Sequence, residues 1–221
     1  VVMRQAATVI AGNNYLAEYA LRAGANRIEI IPTVVDADRY QPKQKTGAEN
    51  LIVGWIGTPK TSRYLKSLLP VFESIKKEMS VRFVAVGAVS RDFEGTAVEA
   101  WPWSEETEVE SIQQFDIGIM PLEDSPWERG KCGYKLIQYM ACGVPVIASP
   151  VGVNREIIEQ GKNGKYADSI EEWNAVLRDM LGAGPDSREK MGTAGRARVE
   201  QWYSLQTQAP RFYKVVCEAQ Y

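Results

Sequence analysis

The chain has 221 residues with 26 Lys+Arg against 28 Asp+Glu, a formal net charge of -2, which suits one large or two small domains and lacks the basic surplus that drives binding to nucleic-acid backbones. It contains no histidine, excluding imidazole-based triads, His-ligated zinc and imidazole pH switches. Its three cysteines, Cys132, Cys142 and Cys217, stand in no CxxC spacing, and its apolar runs fall far short of the roughly 20 residues that cross a bilayer, so no disulfide framework, zinc ribbon or membrane span is expected.

The chain opens Val-Val-Met-Arg-Gln, which does not read as a signal peptide; a fragment whose upstream part is missing, in a reducing cytosol, is the expectation. Residues 8–11 form a short β-prone run. Asn13 caps an expected helix over 15–23, closed by Gly24 as a left-handed C′ residue. Residues 27–31 read as a strand stopped by Pro32, and 36–50, with Pro42 and Gly47 and no apolar periodicity, as a linker. The main domain boundary is placed there, with residues 1–44 a remnant of one domain and its linker and 45–221 a second domain.

From residue 51 buried strands alternate with amphipathic helices, the pattern that builds a parallel sheet covered on both faces. Strands are expected at 51–56, 81–86, 98–101, 117–121 and 144–149. After the first strand, Leu65, Leu68, Leu69, Phe72, Ile75 and Met79 fall on one helical stripe, with Pro70 kinking the helix. An acidic helix over 105–114 and a helix over 133–142 follow. The tail from 187 to 219 is helical, interrupted near Tyr203, with Ser204 capping its last helix. The fold class is therefore α/β, a Rossmann-like parallel sheet with helices on both faces.

In such sheets ligands bind beyond the carboxyl ends of the strands. After residue 56, Gly57 admits close backbone approach, Thr58, Thr61 and Ser62 offer hydroxyls, and Lys60 and Arg63 bring charge to a helix start. The spacing of Gly54 and Gly57 is GxxG rather than GxGxxG, so an anion site and a plain polar turn both remain open. The second region is 129–149. On a helical wheel Leu136, Ile137, Met140 and Ala141 face the core, leaving Lys135, Gln138 and Cys142 on the opposite side. Lys131 and Lys135 crowd a helix start whose dipole opposes them, which suggests a bound anion; a solvated polar face is the alternative. Asp36-Ala37-Asp38 has DxD spacing but reads as a turn. Trp101 and Trp103 flank Pro102 after the third strand, where an indole could pack on a base or on the core.

The run Lys131-Cys132-Gly133-Tyr134-Lys135-Leu136-Ile137-Gln138-Tyr139-Met140-Ala141-Cys142-Gly143-Val144-Pro145-Val146-Ile147-Ala148-Ser149, followed by Gly152-Val153-Asn154-Arg155-Glu156 and Gly161-Lys162-Asn163-Gly164, resembles the C-terminal, nucleotide-sugar-binding half of family 4 glycosyltransferases of the GT-B fold. Ile52-Val53-Gly54-Trp55-Ile56-Gly57 and Asp116-Ile117-Gly118-Ile119-Met120-Pro121 support it, so it covers most of 51–200. The opening residues resemble the end of the acceptor-binding half, most of which this chain does not contain.

The resemblance implies transfer of a sugar from a nucleoside diphosphate donor to a glycan or lipid-linked acceptor. It implies retention of configuration and neither metal nor cofactor. It puts Arg63 where a phosphate-binding cation belongs and the backbone of Lys131, Cys132, Gly133 and Tyr134 where diphosphate and sugar sit; Lys60, Lys131 and Lys135 are further candidates by charge. Gly57, Thr58, Ser62, Trp101 and Gln138 complete the expected donor site. Relatives often carry two glutamates at the places of Gly130 and Gln138, and an arginine where Thr58 stands. Glu128 is the carboxylate left to take the first place, and the catalytic group is otherwise unassigned. A noncatalytic nucleotide-binding module and a sugar-nucleotide epimerase are the competing readings. Such relatives work at the cytoplasmic face of membranes, so peripheral association through the missing half is expected. The final segment, 206–219, resembles the helix that crosses back to the acceptor domain. Exposed Phe212, Val215 and Val216 there point to dimers, which a monodisperse monomer would contradict.

Overall fold

Asn13 has extended backbone and its side chain accepts from the Leu16 N–H at 2.9 Å, so it caps a helix directly after a β-prone run. That cap organises the first unit of the computed structural model, which describes residues 2–42 and 50–219. After a first turn, α1 (Val2–Gln5), the chain forms β1 (Val9–Ala11), α2 (Asn14–Arg22) and β2 (Ile28–Ile30), with the strands parallel and Val9 opposite Ile28. Gly24 takes φ 87° just past α2, the left-handed closure its position called for.

Residues 33–42 do not hang free. Val35 pairs with the Tyr203–Leu205 backbone, and the Arg196 guanidinium donates to the carbonyls of Ala37 (2.9 Å), Ala141 (2.7 Å) and Tyr40. Asp36 accepts from the Asp38 N–H at 3.0 Å and from Gln206 at 2.9 Å, so the DxD spacing builds a turn. The rest of the expected linker, 43–49, lies outside the described residues.

Six parallel strands follow: β3 (Leu51–Ile56), β4 (Val81–Val86), β5 (Val98–Trp101), β6 (Ile117–Met120), β7 (Val146–Ala148) and β8 (Gly164–Tyr166). Their order is β5-β4-β3-β6-β7-β8. The connections run outward from β3 in both directions, so the crevice between the carboxyl ends of β3 and β6 is the topological switch point.

Alternation along β3 divides the core. Val53 and Trp55 join Leu65, Leu68, Phe72 and Trp173 on one face, while Ile52 and Ile56 join Phe115, Ile137, Tyr139 and Met140 on the other. α3 (Arg63–Lys66), α4 (Leu69–Lys76) and α9 (Ile170–Gly182) supply the first layer. α5 (Glu108–Gln113) follows β5, α6 (Pro126–Arg129) and α7 (Tyr134–Ala141) follow β6, α8 (Asn154–Ile157) follows β7, α10 (Pro185–Trp202) follows α9, and α11 (Leu205–Glu218) is the last described helix. Gly54 admits the Phe115 ring, 2.2 Å from where a Cβ would stand.

Three expectations change. The helix expected through Pro70 is two helices, with Pro70 in the first turn of α4, where its missing N–H costs nothing. Val215 is 8% exposed rather than open, while Phe212 and Val216 are exposed, because α11 lies against β2 with Arg211 donating to the Ile30 carbonyl at 3.3 Å and Arg27 paired to Glu218. And β8 and α9 fall where the sequence reading names no element, although Ser169 and Glu172 form a full capping box at the start of α9.

Candidate functional site

At the end of β3 the Gly57 N–H donates to the Val86 carbonyl at 3.0 Å. Gly87 has φ 80°, and a Cβ on it would meet the Gly57 carbonyl oxygen at 2.2 Å. These glycines let the ends of β3 and β4 close together. Thr58 and Thr61 then bond reciprocally across a 3-10 turn, Pro59–Thr61, with the Thr58 N–H donating to Thr61 Oγ1 at 3.1 Å. Lys60 and Thr58 are exposed. Ser62 is 1% exposed and its hydroxyl donates to the Pro59 carbonyl at 2.8 Å. It holds the turn and does not face the crevice.

Arg63 opens α3 and crosses to the loop after β6. Its Nη2 donates to the Tyr64 hydroxyl at 3.0 Å and to Glu128 Oε1 at 3.3 Å. Lys131 Nζ donates to the same hydroxyl at 3.1 Å and lies 4.0 Å from Glu128. Glu128 is 2% exposed and also accepts from Tyr64 and Ser125. Burial pushes its carboxyl up, but the Ser125 and Tyr64 hydrogen bonds, a backbone N–H and the Lys131 charge outweigh that and hold it below the ordinary 4.5. Both of its oxygens are engaged within the protein, so it anchors the two cations and is not open to a sugar.

α7 begins at Gly133, with φ 65° and ψ 21°. A Cβ there would lie 2.3 Å from Ile157 Cδ1, so both backbone and space call for glycine. The N–H groups of Cys132, Gly133, Tyr134 and Lys135 have no partner among the described residues. With the helix dipole they form a positive end. Lys135 Nζ lies 5.3 Å from the centre of the Trp55 ring. Lys131 and Lys135 flank those N–H groups in the chain, and Arg63 joins them through the Tyr64 hydroxyl that it shares with Lys131; Glu128 and Glu123 both act on Arg63, and an anion is what the arrangement can hold.

Burial, and then repulsion from Lys131, bring the Lys135 ammonium from 10.5 to about 8. Between those values the unfolded chain holds more protons than the folded one, so stability rises with pH across that window and is lowest where Lys135 is charged. Inorganic diphosphate affinity is expected to weaken as pH passes about 8 in the wild type and to change less in Lys135→Met; identical profiles in the two proteins between about pH 7 and about 9.5 would remove Lys135 from the site.

The opposite wall differs from expectation. Gln138 is 2% exposed and Cys142 4%, because α10 and residues 35–41 cover the face of α7 that the helical wheel left to solvent. Gln138 Nε2 donates to the Tyr40 hydroxyl at 2.9 Å, Tyr40 donates to Glu108, and Trp103 Nε1 donates to Glu108 Oε2 at 2.8 Å. Burial, and then the Glu108 carboxylate, push the Tyr40 hydroxyl up, so it stays protonated. Trp101 is half-buried against the core with the Arg82 guanidinium 5.5 Å from its ring centre. Trp103, 51% exposed, is the open indole beyond the end of β5, bonded to Glu108. Cys132 is half-buried and Tyr134 exposed at the start of α7. The sequence assigns none of Tyr40, Tyr64 and Glu108 to the site, Glu108 standing in the expected acidic helix; no local pattern marks their roles, since each acts across elements far apart in the chain.

The family model for glycosyl transferases group 1 matches residues 50–182. The chain is 21% identical over 233 residues to the putative teichuronic acid biosynthesis glycosyltransferase TuaH of Bacillus subtilis, covering 96% of this chain and 57% of that protein. It is 24% identical over 201 residues to the D-inositol 3-phosphate glycosyltransferase of Segniliparus rotundus, covering 79% and 43%. The chain thus spans about half the length of these curated relatives. Among solved structures, Anabaena Alr3699/HepE in complex with UDP and glucose superposes with a TM-score of 0.81 at 16% identity, over 98% of this chain and 64% of that one. The C-terminal domain of the group 1 glycosyl transferase LpcC from Francisella tularensis superposes at 0.61 with 18% identity, over 78% of this chain and 100% of that domain.

Proposed function

This chain belongs to the glycosyl transferases group 1 family, and on that premise we propose that it is the donor-binding part of a family 4-like glycosyltransferase. It takes a nucleoside diphosphate sugar in the crevice between β3 and β6 and hands the sugar, with retention and without a metal ion, to a glycan or lipid-linked acceptor. Residues 45–221 form the donor domain in this reading, and 1–44 belong to the acceptor half and linker. The observation that carries it is the start of α7, where the N–H groups of residues 132–135 have no partner among the described residues, Lys131 and Lys135 flank them, and Arg63 shares the Tyr64 hydroxyl with Lys131. As the bond to the sugar breaks, charge builds on the leaving diphosphate, and fixed cations with oriented N–H groups stabilise it where a metal otherwise would. Lys60, Thr58 and Gly57 rim the same crevice. The base lies toward Trp103, with Gln138 behind it holding Tyr40.

A second reading, a noncatalytic nucleotide-sugar module, is favoured by the buried amide of Gln138 and by Gly130, which bring no carboxylate to the sugar. Calorimetric titration with UDP, GDP and ADP separates the outcomes. One of the three is expected to bind, and Arg63→Ala to weaken it about tenfold or more. Failure of all three at millimolar concentration would falsify the donor assignment. Donor hydrolysis by the wild-type chain or the full-length protein favours the enzyme; binding without turnover in both favours the module.

A further inference from the structure

We infer that Asn13 is a positioning residue for the anion-binding turn that opens α7, an inference that rests on the donor-site reading above. Asn13 sits in the opening βαβ unit, is 3% exposed, and bonds on two sides. Its Oδ1 accepts from the Leu16 N–H at 2.9 Å and caps α2. Its Nδ2 donates to the carbonyls of Gly130 at 3.3 Å and Lys131 at 3.0 Å, more than a hundred residues along the chain. A side-chain amide has two N–H donors, and these two carbonyls share them with Cys132 Sγ at 3.8 Å, so the whole donor end of the amide is spent on residues 130–132.

The consequence follows from peptide geometry. In a trans peptide the carbonyl and the next N–H point in opposite directions, and no peptide in the described residues is cis. Drawing the Lys131 carbonyl toward Asn13 therefore turns the Cys132 N–H away from the βαβ unit. That N–H has no partner among the described residues and heads the run continued by Gly133, Tyr134 and Lys135. Close approach is built in on the other side as well. A Cβ on Gly12 would lie 2.6 Å from Cys132 Sγ, and one on Gly130 would lie 3.6 Å from Leu16 Cδ2. Asn14 extends the contact, donating to Glu156 at 3.0 Å. The two lobes meet directly behind the turn, and Asn13 sets which way its peptide faces.

A cap and a clamp make different demands on this side chain. Asp and Ser keep an acceptor for the Leu16 N–H, but neither can donate to both carbonyls, and aspartate repels them. UDP, GDP and ADP, with UMP, GMP and AMP, are titrated into the wild-type chain, Asn13→Asp and Asn13→Ser, with thermal unfolding of each. For the nucleotide that the wild type binds, both variants are expected to lose about tenfold in diphosphate affinity and less than about twofold in monophosphate affinity. Loss of both ligands in proportion, with a lowered unfolding midpoint, means Asn13 serves only the fold and overturns the inference. Undiminished diphosphate binding in both variants overturns it while leaving the donor site standing. A wild-type chain that binds none of the six removes the donor-site reading, and the inference falls with it.

Discussion

Glu128→Gln is expected to lower the stability of the protein by about 2–3 kcal/mol at neutral pH, because it removes a hydrogen-bonded carboxylate from beneath the cations it anchors. Glu128 is 2% exposed and accepts from Ser125, Tyr64 and Arg63. Glutamine keeps the shape but presents one acceptor oxygen and an NH2 that faces donors. A fully buried pair broken at one side costs more, about 3–5 kcal/mol; here the Arg63 side chain is 62% exposed and that of Lys131 23%, so solvent screens part of the loss. For a chain of this size the unfolding midpoint falls by roughly 5–10 °C.

The pH dependence identifies the cause. The Glu128 carboxyl is held below the ordinary 4.5, so its stabilisation is full above that value and is lost as pH falls through the folded-state value, where the unfolded chain binds the extra proton. The gap between wild type and Glu128→Gln should therefore narrow in acid. Urea unfolding at pH 7 and at about pH 3.5 tests this; an equal gap at both would assign the effect to packing rather than charge.

Gly192→Ala is the second large effect, about 3 kcal/mol of destabilisation. A Cβ on Gly192 would lie 1.9 Å from the Gly143 carbonyl oxygen and 2.8 Å from its carbon. Both are backbone atoms, in a residue held at φ 70° at the end of α7, so no rotamer change relieves the contact. The helix must move instead, loosening the 2.7 Å bond from Arg196 to the Ala141 carbonyl. Alanine's better helix propensity, about 1 kcal/mol, offsets part of the cost. An unfolding midpoint within about 2 °C of wild type would show that α10 can slide on α7 without penalty.

Much was legible in order of residues alone. The switch between strand and helix periodicity gave seven of the eight described strands, because an apolar run of three to six residues between breakers has few other uses. Asn13, Ser204 and Gly24 announced helix ends by side-chain and backbone chemistry that acts within four residues. Lys131 and Lys135 stood out because a helix start disfavours them. β8 escaped notice because its three residues are not an apolar run. Pro70 misled because the same ring that breaks a helix interior fits its first turn.

The sequence by itself determined the α/β alternation and the cations that a site could use, since both are local properties of residue type and spacing. Only the tertiary structure decided what those residues face. The helical wheel of α7 separates its sides but does not say how many will be covered, and α10, some fifty residues on, buries Gln138 and Cys142. Ser62 is a hydroxyl in sequence and a closed hydrogen bond in the fold. Tyr64 and Glu128, sixty-four residues apart, become the anchor of the cation cluster, and Asn13 reaches the turn that the cations surround. Each of these depends on chain segments distant in sequence meeting across the carboxyl edge of the sheet, where long-range packing and hydrogen bonding override local pattern.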